Sequence, residues 1–293
     1  MISIEKKNQI VDAAIERRKN SGITSDSKFA VTLGISASQY SRIVKREYDG
    51  VLSDANWIHV ARKLGVELSS SPKWVTASTP AYQYIAAQLQ YCQELSTGGI
   101  FCDKAAIGKT YTARCYIREH KHAIYIDCSQ VKSKRMLLKQ IAKEFGITPI
   151  GLYREIYEDL VYYLRSIEKP LVILDEAGDL SYEAFLELKA LYNATDGFCG
   201  WYMMGADGLR KKFEKNRERY KVGYQEIFSR YGSRYNKVTP DGKEASRTFE
   251  QQQAILIAKA NGADEDLLVL IRKATDIDLR RIYIEINKRN RAA

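Results

Sequence analysis

"GGIFCDKAAIGKTYTARCYIREH", Gly98–His120, decides the fold. "GGIFC" is an apolar run of strand length, and "TARCYIREH" continues as a helix. Between them "CDKAAIGKT", Cys102–Thr110, carries the second half of the phosphate-loop signature G-x-x-x-x-G-K-[ST]. Gly108 permits close backbone approach, Lys109 reaches outer phosphate oxygens, and the Thr110 hydroxyl suits a bound Mg²⁺. The first half departs from the signature. Asp103 stands where its opening glycine belongs, and Ala106 replaces another residue that is commonly glycine. A carboxylate at the entrance predicts repulsion of phosphate, hence weak or assembly-dependent nucleotide affinity. The candidate nucleotide contacts are Asp103, Lys104, Ala105, Ala106, Ile107, Gly108, Lys109, Thr110 and Tyr111.

A second motif completes the first. "PLVILDEAGDL", Pro170–Leu180, is an apolar strand ending in two acids. Asp175 is placed to join Thr110 in holding Mg²⁺, and Glu176 to polarise an attacking water. Both are catalytic candidates. Neither motif is specific alone, but a strand–GKT–helix followed by an apolar strand ending in Asp-Glu is rarely an accident.

Around these motifs, "HAIYID" and "GWYMMG" are further strand candidates, each separated from the next by helical sequence. Alternation of this kind predicts a parallel sheet of βαβ units. Beyond residue 247 the pattern is three helices with no strand. "SSSPKWVTASTP", residues 69–80, has the Ser, Thr and Pro content of a linker. The expected organisation is a helical unit over 1–68, a linker over 69–80, an α/β core over 81–240 and a helical lid over 241–293.

Composition narrows the function. The chain has 293 residues and a formal net charge of +10, with 45% hydrophobic and 28% charged residues. It holds no run of about 18 apolar residues and opens on an amphipathic helix rather than a signal core, so a cytoplasmic protein with no membrane partner is expected. Five cysteines (92, 102, 115, 128 and 199), with no C-x-x-C pair, argue against a metal site or a disulfide framework. Excess Lys and Arg attract polyanions, nucleic acids foremost.

In the first unit, "SDSKFAVTLGISASQYSRIVKRE" (Ser25–Glu47) reads as a helix, a glycine turn and a second helix capped by Ser36. It resembles the lambda-repressor-like helix-turn-helix family. That resemblance implies DNA contacts by Ser36, Ser38, Gln39, Ser41 and Arg42, with Lys45 and Arg46 near phosphates. The alternative is a small helical bundle for protein contacts.

The two nucleotide motifs resemble those of an AAA+ ATPase, which implies ATP and Mg²⁺ as ligands. "IFSRYGSRYNKV" resembles the segment bearing the arginine finger, with Arg230 the first candidate and Arg234 the second. "DIDLRRIYIEI" resembles the sensor 2 helix of the lid, with Arg280 the candidate. Ala206 occupies the usual polar sensor 1 position, a departure from the family pattern.

A helix-turn-helix joined to a small AAA+ module resembles the phage Mu B transposition protein family, whose ATPase core is similar to those of IstB- and TnsC-type helpers. The resemblance implies an ATP-driven homo-oligomer, a ring or helical filament, that binds double-stranded target DNA and activates a transposase. "DGLRKKFEKNRERYK" (Asp207–Lys221) supplies basic candidates for DNA phosphates in Lys211, Lys212, Lys215 and Arg217, or else one solvated helix face. An ATP-responsive transcriptional regulator and a helicase loader are the alternative functions.

Overall fold

The four apolar runs form the strands β1 (Gly98–Cys102), β2 (Ala123–Asp127), β3 (Leu171–Asp175) and β4 (Gly200–Gly205) of one parallel sheet, ordered β1-β4-β3-β2. The computed structural model describes residues 2–66, 68, 74–274 and 277–292, the side chains of 290–292 excepted. Of the expected linker 69–80, residues 69–73 lie outside the described residues.

The strands are nearly continuous in apolar residues because both faces of the sheet are covered. Ile100, Ile124, Ile126, Val172, Leu174, Trp201 and Met203 point to one side. There they meet α7 (Lys134–Glu144), α8 (Tyr153–Ser166), α9 (Tyr182–Ala194), α10 (Asp207–Glu218) and α11 (Tyr224–Arg230). Phe101, Leu171, Ile173, Tyr202 and Met204 point to the other, against α5 (Pro80–Glu94) and α6 (Lys109–Glu119). The alternation of strand side chains thus builds a three-layer α/β/α core. Trp201 and Ile173 are wholly buried, and truncating either to Ala should cost on the order of 2–5 kcal/mol. At the β1 edge Asn236 adds one further bridge: its N–H donates to the Ile100 carbonyl at 2.7 Å and its carbonyl accepts from the Cys102 N–H at 3.0 Å.

Before the core come α1 (Ile4–Asn20), α2 (Asp26–Leu33), α3 (Ala37–Val44) and α4 (Asp54–Leu64). Gly34 ends α2 at φ 75°, its N–H returning to the Ala30 and Val31 carbonyls. Glycine takes that left-handed conformation without steric penalty. Ile35 plugs the turn and Ser36 caps α3. Phe29, Leu33, Tyr40, Ile43, Trp57 and Val60 fill a separate apolar cluster. The seam with the core is polar: Lys63 pairs with Glu144 at 2.6 Å, Asn20 donates to the Arg118 carbonyl at 3.2 Å, and the His122 N–H reaches the Ser21 carbonyl at 3.1 Å. Arg17 is enclosed there, and burial pushes its guanidinium down to about 10.

After the core, α12 (Lys243–Ala260), α13 (Glu265–Lys273) and α14 (Leu279–Ala292) pack around Ala254, Ala258, Leu267, Leu268, Ile271 and Ile286. Trp74 joins this cluster, and Val75 is strapped to it by two bonds with the Asn261 amide at 2.9 and 3.0 Å. The five cysteines are buried free thiols. Among the described residues no helix is long and apolar enough to cross a membrane.

Candidate functional site

Because all four strands run the same way, their carboxyl ends share one edge, where ligands of open α/β sheets bind. Cys102 delivers the loop 103–108 to that edge, and Asp175 and Glu176 arrive beside it from β3. The loop turns through two left-handed residues, Ala106 at φ 59° and Gly108 at φ 100°. Gly108 leads directly into α6, so the free N–H groups of the first helical turn face the loop's concave side. Above it lies a cavity of about 500 Å³, within the size range of small-molecule sites. Its floor is the loop and Glu176; its far wall comes from the lid through Ile257, Leu279, Arg280 and Tyr283, with Trp74 beside them. The Trp74 and Tyr283 rings sit 4.7 Å apart and give that end an aromatic surface.

Lys109 is only 6% exposed. Its ammonium donates to the carbonyls of Asp103 (3.0 Å) and Lys104 (2.5 Å). Burial lowers its pKa, against the opposing pull of Asp175, Glu176 and Asp103. A cation held so close to the loop and paired only to neutral carbonyls suits a phosphate better than its present partners. Thr110 Oγ1 donates to Asp175 Oδ2 at 2.5 Å, and the Tyr125 hydroxyl donates to the same oxygen at 3.0 Å. The other carboxylate oxygen accepts from the Glu176 N–H at 3.0 Å. Hydroxyl and carboxylate in contact make a hard-oxygen pair that fits Mg²⁺. Glu176 stands at the strand end with φ 49°. Burial, then the neighbouring Asp175 charge, raises its pKa.

Two loop residues depart from the sequence expectation. Asp103 does not face the phosphate position. Its side chain is turned inward and 1% exposed, with one oxygen accepting from the Lys104 N–H at 2.7 Å and the other from Val238 and Thr239 N–H, each at 2.9 Å. Three N–H donors hold the carboxylate in this inward position. The Lys104 ammonium turns to the lid, reaching Ser246 Oγ at 2.6 Å and Glu250 at 2.7 Å. Ala105, Ala106, Ile107 and Tyr111 do line the cavity, and the Tyr111 hydroxyl meets Thr76 Oγ1 at 2.5 Å.

The arginines divide. Arg280 lines the cavity from α14. Arg230 does not: its carbonyl lies over Gly98, at the start of β1, the opposite end of the strand from the loop. Its guanidinium donates to Asn193 Oδ1 at 2.5 Å and to the Glu226 carbonyl at 3.1 Å. Arg234 is exposed on the segment that follows, away from the cavity lining. Ala206 caps the start of α10 with no polar side chain.

Among the DNA candidates, several are committed within the chain. Ser36 and Gln39 form a reciprocal capping box at 3.1 and 2.9 Å, and the Gln39 amide also donates to the Val51 carbonyl at 3.1 Å. Their side chains are therefore held by the turn and are not free to read bases. Arg42 pairs with Glu47 at 3.1 Å and Arg46 with Asp12 at 2.6 Å. Ser38, Ser41 and Lys45 are exposed on the outer face of α3. On α10, Lys212 donates to the Gly178 and Leu180 carbonyls at 2.8 and 2.6 Å, and Arg217 bonds Gln225 at 2.7 Å while lying 3.8 Å over the Phe228 ring. That leaves Lys211 and Lys215 as the exposed pair. Tyr125, Trp74 and Tyr283 are site residues that sequence reasoning missed. A tyrosine in an apolar strand carries no signal of its partner, and the aromatic wall joins residues more than two hundred positions apart.

No curated protein matches the chain. Residues 99–213 match the family model described as an AAA domain. That segment runs from β1 through the phosphate loop and the Asp175-Glu176 pair into α10, so the match spans both motifs of the site and supports a nucleotide-binding ATPase in general terms.

Proposed function

We propose that this chain is an ATP-dependent DNA-binding transposition helper of the phage Mu B kind: it assembles on double-stranded target DNA, hydrolyses ATP and presents the target to a transposase. The observation that carries the reading is the pairing of a nucleotide site that neither finger candidate, Arg230 or Arg234, lines with a helix–glycine turn–helix unit whose second helix keeps an exposed polar face. Arg230, at the far end of β1 from its own loop, suits the nucleotide of a neighbouring copy rather than its own. Nucleotide would then join subunits, and turnover would await assembly.

Each residue has a role in this reading. Lys109 and the α6 N-terminus hold the phosphates, Glu176 orients and polarises water, and Arg280 reaches the phosphates from the lid. Thr110 and Asp175 would hold Mg²⁺, which neutralises phosphate charge when bound. Ser38 and Ser41 on α3 and Lys45 at its end, with Lys211 and Lys215 on α10, supply DNA contacts, and the net charge of +10 favours the polyanion.

Electron microscopy of the protein on long duplex DNA, with and without ATP, tests the proposal. Rings or filaments that need ATP are expected. Their absence, together with tight binding to one short operator, would instead point to a transcriptional regulator. Preference for single strands together with capture of a helicase would point to a helicase loader.

A further inference from the structure

Residue 103 is where the phosphate loop leaves its signature, and it is also where the loop grips the rest of the chain. We propose that Asp103 and Lys104, the first two residues of the loop, are positioning residues that fasten it to the helical lid, so that the loop itself holds the far wall of the nucleotide cavity in place. This rests on the nucleotide reading above.

The two residues act on consecutive parts of one path. Asp103 Oδ2 accepts from the Val238 and Thr239 N–H groups at 2.9 Å each, in the segment that leads from the core into α12. Lys104 then reaches over to α12 itself, meeting Ser246 at 2.6 Å and Glu250 at 2.7 Å. Glu250 is largely enclosed, its side chain 14% exposed, so its charge needs this partner. Further along the same helix Ile257 enters the cavity, and Ala254 and Ala258 pack with Ile286 of α14, which carries Arg280 and Tyr283 into it. A pull on Glu250 is therefore a pull on the whole wall.

The loop side of the joint is as direct. The Lys104 N–H donates to Asp103 Oδ1 at 2.7 Å, and the carbonyls of both residues hold the Lys109 ammonium. A phosphate that draws Lys109 away from those carbonyls acts on the residues that hold the lid. Glycine at position 103 would satisfy the signature and provide none of the side-chain bonds. Asparagine could accept at one oxygen only, leaving its amide facing a donor on the other side.

Binding of Mg-ATP and of tripolyphosphate to the full chain, followed by calorimetry, separates this role from a direct phosphate contact. Tripolyphosphate engages the loop and the Arg280 guanidinium but has no nucleoside to rest on the Trp74, Ile257 and Tyr283 part of the wall. Lys104→Met and Glu250→Gln are each expected to weaken ATP roughly three- to tenfold, the scale of a partly exposed ion pair with an added hydroxyl. Tripolyphosphate affinity should fall by clearly less than ATP affinity, the double variant should be no worse than either single one, and Lys104→Arg should stay close to the parent. Asp103→Gly, though it completes the signature, should also weaken ATP. Amide exchange of residues 243–260 without nucleotide should quicken in Lys104→Met and Glu250→Gln. Equal loss of tripolyphosphate affinity in Lys104→Met overturns the proposal, because Lys104 would then act on phosphate directly. Unchanged ATP affinity and unchanged exchange overturn it too. A parent chain that binds neither ligand overturns the nucleotide reading instead, while the exchange of α12 still reads whether the tether exists.

Discussion

In the proposed ATPase reading, Lys109 and Glu176 are the residues on which the chemistry turns. The Lys109 ammonium is buried against two carbonyls, and a charged donor to phosphate is worth about 1.5–3 kcal/mol. Lys109→Ala is therefore expected to weaken Mg-ATP about 10- to 100-fold, as read with a fluorescent nucleotide. Glu176→Gln keeps the shape and removes the base, so binding should persist while steady-state turnover falls by about 10²- to 10⁴-fold. The pH dependence follows from the raised Glu176 pKa, whose first cause is burial and second the Asp175 charge. Only the ionised carboxylate polarises water. As pH falls, turnover should be lost through that raised pKa, at a higher pH than an ordinary glutamate would give, and the limb should vanish in Glu176→Gln. A kcat profile across the acid range checks it.

Elements show which basic residues are structural. Lys212 ties α10 to the turn that follows Glu176 through two carbonyls, and burial lowers its pKa. Lys212→Met leaves those carbonyls unpaired and should destabilise by about 1–3 kcal/mol in urea unfolding, with little effect on DNA affinity. Lys211→Ala with Lys215→Ala should do the reverse: stability within about 0.5 kcal/mol of the parent, weaker duplex binding and a shallower salt dependence. At the glycine turn between α2 and α3, Gly34→Ala forces a Cβ into φ 75° and to within 3.1 Å of His59 Nε2. It should cost on the order of 1–2 kcal/mol, seen as a lowered unfolding midpoint.

For the whole molecule, the separation of Arg230 from its own loop makes a distinctive demand. If the arginine acts on a neighbour's nucleotide, Arg230→Ala and Lys109→Ala should each be inactive alone. Mixed on duplex DNA they should recover measurable ATP turnover, because one supplies an intact loop and the other an intact arginine. No recovery at any ratio would remove Arg230 from that role and bring Arg234 forward.

The sheet and the heart of the site were legible in the chain itself. Four apolar runs with helical sequence between them admit little besides a parallel sheet, and that sheet brings Gly108–Thr110 and Asp175-Glu176 to one edge, because parallel strands end together. These are consequences of local pattern. What the folded chain decided is where side chains with several possible partners turn. Asp103 reads as a repulsive charge at a phosphate loop until Val238 and Thr239 supply N–H donors from more than a hundred residues away. Lys104 reads as a phosphate contact until Glu250 claims it, and Gln39 and Lys212 read as DNA contacts until backbone carbonyls do. A sequence records each polar group's chemistry. Its partner is set by long-range packing, and only the tertiary structure brings the two together.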